Sequence, residues 1–191
     1  MCRFLLVSLM LLLAGCGGSG STPYAGPGRG THYSGLSCAP FARELSGIAL
    51  YGDAADWWDA AAGKYRRGET PEMGSVLVFR RGARLPSGHV SVVSRVLGAR
   101  EIAVMQANWV PGDVDEDQLV VDVSEGNDWS RVRVWWPPVN GLGAYPYPAY
   151  GFVHAPRGAT HEQLARAVQP AAKFALQSRG RAAPRARLAG G

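Results

Sequence analysis

The sequence predicts an α+β fold, with N-terminal helices packed on an antiparallel sheet of about five to six strands. Three observations carry this. Apolar residues recur at helical spacing between positions 38 and 65. After Pro71 the pattern changes to short β-branched or aromatic runs separated by Gly, Pro and Asp or Asn. The runs follow one another without intervening helical stretches, which favours an antiparallel sheet over βαβ units. A chain of 191 residues suits a single domain. With 47% hydrophobic residues it is no disordered polymer.

The chain opens on an address. Arg3 precedes ten residues, Phe4 to Leu13, that are apolar apart from Ser8. Such a run is shorter than the ~20 residues of a membrane-spanning helix and fits the core of a secretory signal. Leu13-Ala14-Gly15-Cys16 follows and resembles a bacterial lipobox. That resemblance implies that residues 1–16 form the signal and that Cys16 carries a lipid anchoring the protein to a membrane. Gly17 in the next position implies, by similarity to Gram-negative lipoproteins, the periplasmic face of the outer membrane. Residues 17–31 are rich in Gly, Ser and Pro and read as a flexible tether. The folded domain is expected over 32–156.

The first helix is predicted from Cys38, with Pro40 in its first turn and Phe41, Leu45, Ile48 and Ala49 on one face. Gly52-Asp53 is the expected stop. A second helix is expected over 56–65, with Trp57, Ala60 and Ala61 inward. Strands are expected over 75–80, 89–96, 101–107, 119–123, 131–136 and 150–154. The runs 87–96 and 101–108 are expected to pair as a hairpin turning near Gly98. The acidic group Asp113, Asp115, Glu116 and Asp117 reads as a solvated loop, because it lacks the Gly turn and closing Glu of an EF-hand.

Thr160-His161-Glu162-Gln163 has the form of a capping box, which opens an Ala-rich helix to about Gln177. Pro170 is expected to kink or split it. Residues 157–191 carry seven Lys/Arg and one acid, so the chain's +5 charge belongs to this basic tail. Its end is expected to be disordered. The rest is near neutral, and no nucleic-acid partner is expected.

Of the three cysteines, Cys2 leaves with the signal and Cys16 takes the lipid. Cys38 is then the one free thiol, an unusual state in an oxidising compartment. It stands at a predicted helix start, where unpaired N–H groups favour a thiolate. His89, at the start of a strand, is the candidate base. Gln106 and Asn108, on one face of the next strand, are candidates to orient it. The backbone N–H of Cys38 is the expected oxyanion donor, with His32, Tyr33 or Ser37 as possible side-chain partners.

The order Cys-Ala-Pro-Phe-Ala-Arg (38–43), Pro-Glu-Met-Gly-Ser-Val-Leu-Val-Phe (71–79), Gly-His-Val-Ser-Val-Val (88–93) and Gln-Ala-Asn-Trp (106–109) resembles the CHAP family. These are cysteine, histidine-dependent amidohydrolases/peptidases, related to NlpC/P60. The resemblance implies a papain-like fold and hydrolysis of amide bonds, typically in peptidoglycan. It implies Cys38 as nucleophile and His89 as base. Asn108 matches the Asn of the family's (Glu/His)-x-Asn-Trp segment. Gln106 departs from it, since many members carry Glu or His there. No carboxylate precedes Cys38 within 30–37, so neither a metal nor another cofactor is expected. The neutral Gln106 leaves a second reading, a catalytically weak or inactive scaffold that binds the cell wall.

Overall fold

The computed structural model describes residues 31–32 and 35–179. The expected signal with Cys16, the tether as far as residue 30, Tyr33 and the tail beyond Arg179 lie outside them.

The first helix, α1 (Cys38–Ser46), buries Ala39, Phe41, Ala42 and Leu45. Full burial of a side chain such as Phe41 is worth roughly 1.5–3 kcal/mol. The helix stops well before Gly52. Gly47 takes a left-handed conformation (φ 72°) and its N–H caps the Arg43 carbonyl, a conformation glycine adopts without steric cost. The second helix is also shorter than expected. A 3-10 turn over Ala54–Asp56 runs into α2 (Trp57–Ala60), with Trp57 and Ala61 fully buried.

The described residues form nine strands: β1 (Thr31–His32), β2 (Arg67–Gly68), β3 (Val76–Phe79), β4 (His89–Gly98), β5 (Glu101–Ala107), β6 (Asp113–Asp122), β7 (Arg131–Trp136), β8 (Gly141–Leu142) and β9 (Tyr147–Val153). All pairings are antiparallel. The order is β1-β6-β5-β4-β3-β9-β7-β8, and an added β6–β7 pairing joins the two ends of its middle section. Strands β6, β5, β4, β3, β9 and β7 thus close a six-stranded barrel. The α+β class holds, but the sheet is larger than expected and rolled up. The hairpin expected around Gly98 is present, with Gly98 opposite Glu101 and Val92 opposite Met105.

Two cores result. Val76, Val78, Val90, Val92, Met105 and Ala107 face the helices. Leu77, Val93, Ile102, Val104, Val120, Val132 and Phe152 fill the barrel. Strand β3 is therefore buried at every position, which explains its uninterrupted apolar run.

The acidic stretch is not a solvated loop. It forms the first half of β6, paired to β5 on one side and to β1 on the other. Asp115 is buried there. The folded unit also continues past Pro156, where it was expected to end. Helix α3 (His161–Arg179) packs on α1 and buries Leu164, Val168, Ala171, Ala172 and Ala175. Its capping box is complete: Gln163 N–H donates to Thr160 Oγ1, and Thr160 N–H donates to Gln163 Oε1. Pro170 neither splits nor ends the helix. It lies on the exposed face, where water can satisfy the carbonyl that its ring leaves unpaired.

Candidate active site

Cys38 is the first residue of α1, so its own N–H and those after it lie in the turn that has no intrahelical partners. The half-buried thiol packs against the helix-side core. Backbone groups of Val90, Ala39 and Cys38 hydrogen-bond it. Those bonds favour the thiolate, yet burial is the larger influence and raises the thiol pKa, with Asp53 adding to the rise. The thiolate expected from the helix start alone is therefore not the resting state.

Val90 directly follows His89, which places the imidazole one residue from the thiol's backbone partner. Gly88 sets this junction. Its φ is 71°, and a Cβ there would sit 2.6 Å from the Ala55 Cβ and 2.8 Å from the Phe79 carbonyl oxygen. Ala55 N–H bonds the Ser87 carbonyl at 3.0 Å, pinning the 3-10 turn to the start of β4.

His89 is 3% exposed. Its Nε2 lies 2.9 Å from Gln106 Oε1. That oxygen can only accept, so Nε2 carries the proton and Nδ1 is left bare. Ser91 Oγ donates to the same oxygen at 2.6 Å. Gln106 Nε2 donates to Gln118 Oε1. Gln118 Nε2 and Asp115 Oδ2 are buried without hydrogen-bond partners. The rings of Phe79 and Trp109 meet the imidazole at centroid distances of 5.5 and 5.0 Å. This enclosure pushes the His89 pKa down to about 4; burial is the main cause, partly offset by Gln106. At neutral pH the pair is a thiol and a neutral imidazole.

Asp115, the cross-strand partner of Gln106, is pushed up to about 7 by burial, with the Asp113 charge adding to it. It stands neighbour to the site in the sheet.

Of the four residues singled out in the sequence for catalysis, the fold brings Cys38, His89 and Gln106 to one region. Asn108 does not orient the histidine. It sits exposed in the β5–β6 turn with φ 64°, and its Oδ1 accepts the Gly112 N–H at 2.9 Å. Among the expected oxyanion side chains, His32 is exposed and bound to Asp113 at 2.8 Å, and Ser37 is the N-cap of α1 without a side-chain cap bond. Ser91, Gln118 and Asp115 were missed. Ser91 was legible, two residues from His89 and so on the same face.

Beyond Trp109 lies a groove of about 660 Å³. Among the described residues no group of three or more His, Cys, Asp or Glu side chains is placed to hold a metal ion. No helix among them is long and apolar enough to cross a membrane.

Residues 28–108 match the family model of the CHAP domain. The match ends at Asn108, before β6, and so leaves Gln118, Asp115 and the groove-forming strands outside it. No curated protein matches the chain. CHAP domains are in general peptidoglycan amidases or peptidases, and the three helices with their antiparallel barrel are compatible with such a domain.

Proposed function

We propose that this chain hydrolyses amide bonds of peptidoglycan through a Cys38–His89 pair oriented by Gln106. The observation that carries the reading is the His89 Nε2–Gln106 Oε1 bond, which presents a bare Nδ1 for a thiol proton. The match of residues 28–108 supports the same substrate class.

The resting pair is neutral, so the proton moves during attack. Nδ1 takes the thiol proton while sulfur bonds to the amide carbonyl carbon. Negative charge collects on the carbonyl oxygen, where the Cys38 backbone N–H stabilises it. The carbon–nitrogen bond then breaks, and imidazolium delivers its proton to the departing amine. Water, deprotonated by Nδ1, attacks the thioester. The carboxylic acid leaves and the thiol is restored. The Gln106 carbonyl bonds Nε2–H throughout, but it carries no full charge to stabilise the imidazolium.

That missing charge favours the second reading, a weakly active or silent wall-binding domain. The test separates them. Purified peptidoglycan is incubated with the protein from Gly17 onward and with Cys38→Ala, and released fragments are weighed. Fragments from the first and none from the second establish a cysteine hydrolase. No fragments from either, with the protein still sedimenting with the wall, establish the silent domain.

The same reading places the protein at the envelope, with Cys16 as its lipid anchor. Leu13-Ala14-Gly15-Cys16 supports it. Labelled palmitate incorporated by the full chain but not by Cys16→Ala is the expected result, and no incorporation by either removes the anchor from the reading.

A further inference from the structure

The two strands that flank β5 each carry an extra residue. Against β5, strand β4 shifts register between Val93 and Arg95, which leaves Ser94 as its extra residue. Strand β6 shifts between Gln118 and Asp115, the step that contains Asp117. Asp117 holds φ 51°, a left-handed backbone that residues with a Cβ rarely adopt. The two irregularities meet across β5, where Ser94 Oγ donates to Asp117 Oδ1 at 2.6 Å.

Helix α3 closes on the same carboxylate. His161 is its first residue, with Nε2 2.9 Å from Asp117 Oδ2 and 3.1 Å from Oδ1. A carboxylate only accepts, so this nitrogen carries the proton and donates. The Arg95 guanidinium stands 3.2 Å from Oδ2. One carboxylate thus meets a hydroxyl and a guanidinium from β4 and an imidazole from α3. The side chains of Asp117 and His161 are 20% and 31% exposed, so water screens them less than it screens a surface pair. The capping box of Thr160 and Gln163 fixes the backbone on either side of His161. The helix N-terminus adds its own attraction for the anion. Helix α3 also packs on α1, the helix that opens with Cys38.

Asp117 is linked to the proposed catalytic pair through its neighbour. Asp117 meets α3 on one face of the sheet, and Gln118 turns to the other. There Gln118 Oε1 accepts from Gln106 Nε2, and Gln106 Oε1 accepts from His89 Nε2. Gln118 Nε2 is buried without a partner. No second amide bond therefore steers the Gln118 side chain, and the backbone of the bulge sets where it points.

We propose that His161 is a positioning residue: by clamping Asp117 it holds the β6 bulge, and through Gln118 and Gln106 it fixes the orientation and tautomer of His89. The consequence for catalysis rests on the hydrolase reading above, whereas the clamp does not. Both His161 and Asp117 lie beyond residue 108, where the family match ends.

The test uses the full chain and three variants, His161→Ala, His161→Gln and Asp117→Gly. Glycine keeps the left-handed backbone without steric cost, so Asp117→Gly removes the carboxylate without straining the bulge. Nitrogen-15 NMR of the His89 ring reads its tautomer, and hydrolysis of soluble peptidoglycan fragments gives kcat and KM. The wild type is expected to hold the Nε2–H form. In His161→Ala and in Asp117→Gly, the Nδ1–H form should appear. There kcat should fall about five-fold with KM unchanged, the upper scale of one ion pair. His161→Gln, whose amide can still donate to Asp117, should restore both. A helix that merely stabilises the fold would lower the melting temperature and leave the imidazole as it was. A folded His161→Ala or Asp117→Gly protein with the wild-type His89 tautomer therefore overturns the proposal, whatever its activity. So does a His161→Gln protein as impaired as His161→Ala. Should His161→Ala fail to fold, Asp117→Gly decides by the same reading. A tautomer shift in the variants, with no hydrolysis by the wild type, upholds the clamp and overturns the hydrolase.

Discussion

Replacing Gln106 by Glu puts a carboxylate 2.9 Å from His89 Nε2 and asks whether residue 106 governs the imidazole. Two unit charges centred about 4 Å apart attract by ~4 kcal/mol at an effective dielectric of 20. Fully expressed, that would raise the His89 pKa by about three. The new carboxylate is itself buried, so part of the gain is lost to its own desolvation. An increase from about 4 to about 6 is the expected outcome. The surroundings can receive the charge. Ser91 Oγ already donates to position 106. Gln118 now accepts from Gln106 Nε2, and its own Nε2 has no partner. Rotating the Gln118 amide turns that orphan donor onto the second glutamate oxygen.

Two assays read the change. Titration of the His89 ring nitrogens by NMR gives its pKa directly. Alkylation of Cys38 by iodoacetamide, followed against pH, reports thiolate, and Cys38 is the only cysteine from Gly17 onward. Raising His89 brings the thiolate–imidazolium pair closer in energy to the neutral pair. Alkylation should then begin at lower pH, and hydrolysis near pH 7 should rise about ten-fold, the worth of about 1.4 kcal/mol in the barrier. A folded Gln106→Glu protein whose His89 still titrates near 4, with an unmoved alkylation profile, would refute the reasoning.

Gln118→Met removes the acceptor that holds the Gln106 amide with its oxygen toward His89; we expect kcat to fall about ten-fold with KM unchanged, and a loss of about 1–3 kcal/mol in urea unfolding from the unpaired amide. Asp115→Asn removes a group that holds its proton in the folded state between its ordinary 3.8 and about 7. Over that range rising pH costs the wild type stability, so the variant should gain up to about 4 kcal/mol relative to wild type between pH 4 and pH 8, read by urea melts. His89 has the opposite slope: folding depresses its pKa from 6.5 to about 4, so acidification through this window costs up to about 3 kcal/mol. The two slopes oppose each other in the wild type, whose stability should be nearly flat from pH 4 to 6.5, while Asp115→Asn alone should show the acid-side fall. Gly88→Ala imposes a left-handed φ on a Cβ that meets Ala55 and Phe79; it should cost more than about 1 kcal/mol by thermal melt and lower activity by shifting His89.

What the sequence discloses is what lies within one element or between adjacent ones. Strands β4 and β5 were legible from β-branched runs flanking a glycine turn. Gln106 was legible because residues two apart in a strand share a face, although the same parity also nominated Asn108. The structure separates them because the chain turns at Asn108 with positive φ, and parity ends where the strand does. The closed barrel was not legible. It depends on β6 meeting β7 and β7 meeting β9, pairings that alternation within each strand does not specify. Charge misled at β6, where a ladder partner outweighs a polar average.

Gln118 shows the limit most sharply. The β5–β6 register shifts between Val104 and Gln106, so that two steps on β5 span three on β6, from Gln118 to Asp115. Asp117, with φ 51°, lies within that extra step. Residues 115 and 118 differ by an odd number, and a regular strand would send them to opposite faces. The bulge instead lets Gln118 reach the Gln106 side chain while Asp115 remains Gln106's cross-strand partner. The network that orients His89 is thus completed by an irregularity, and periodicity read from one strand carries no record of it.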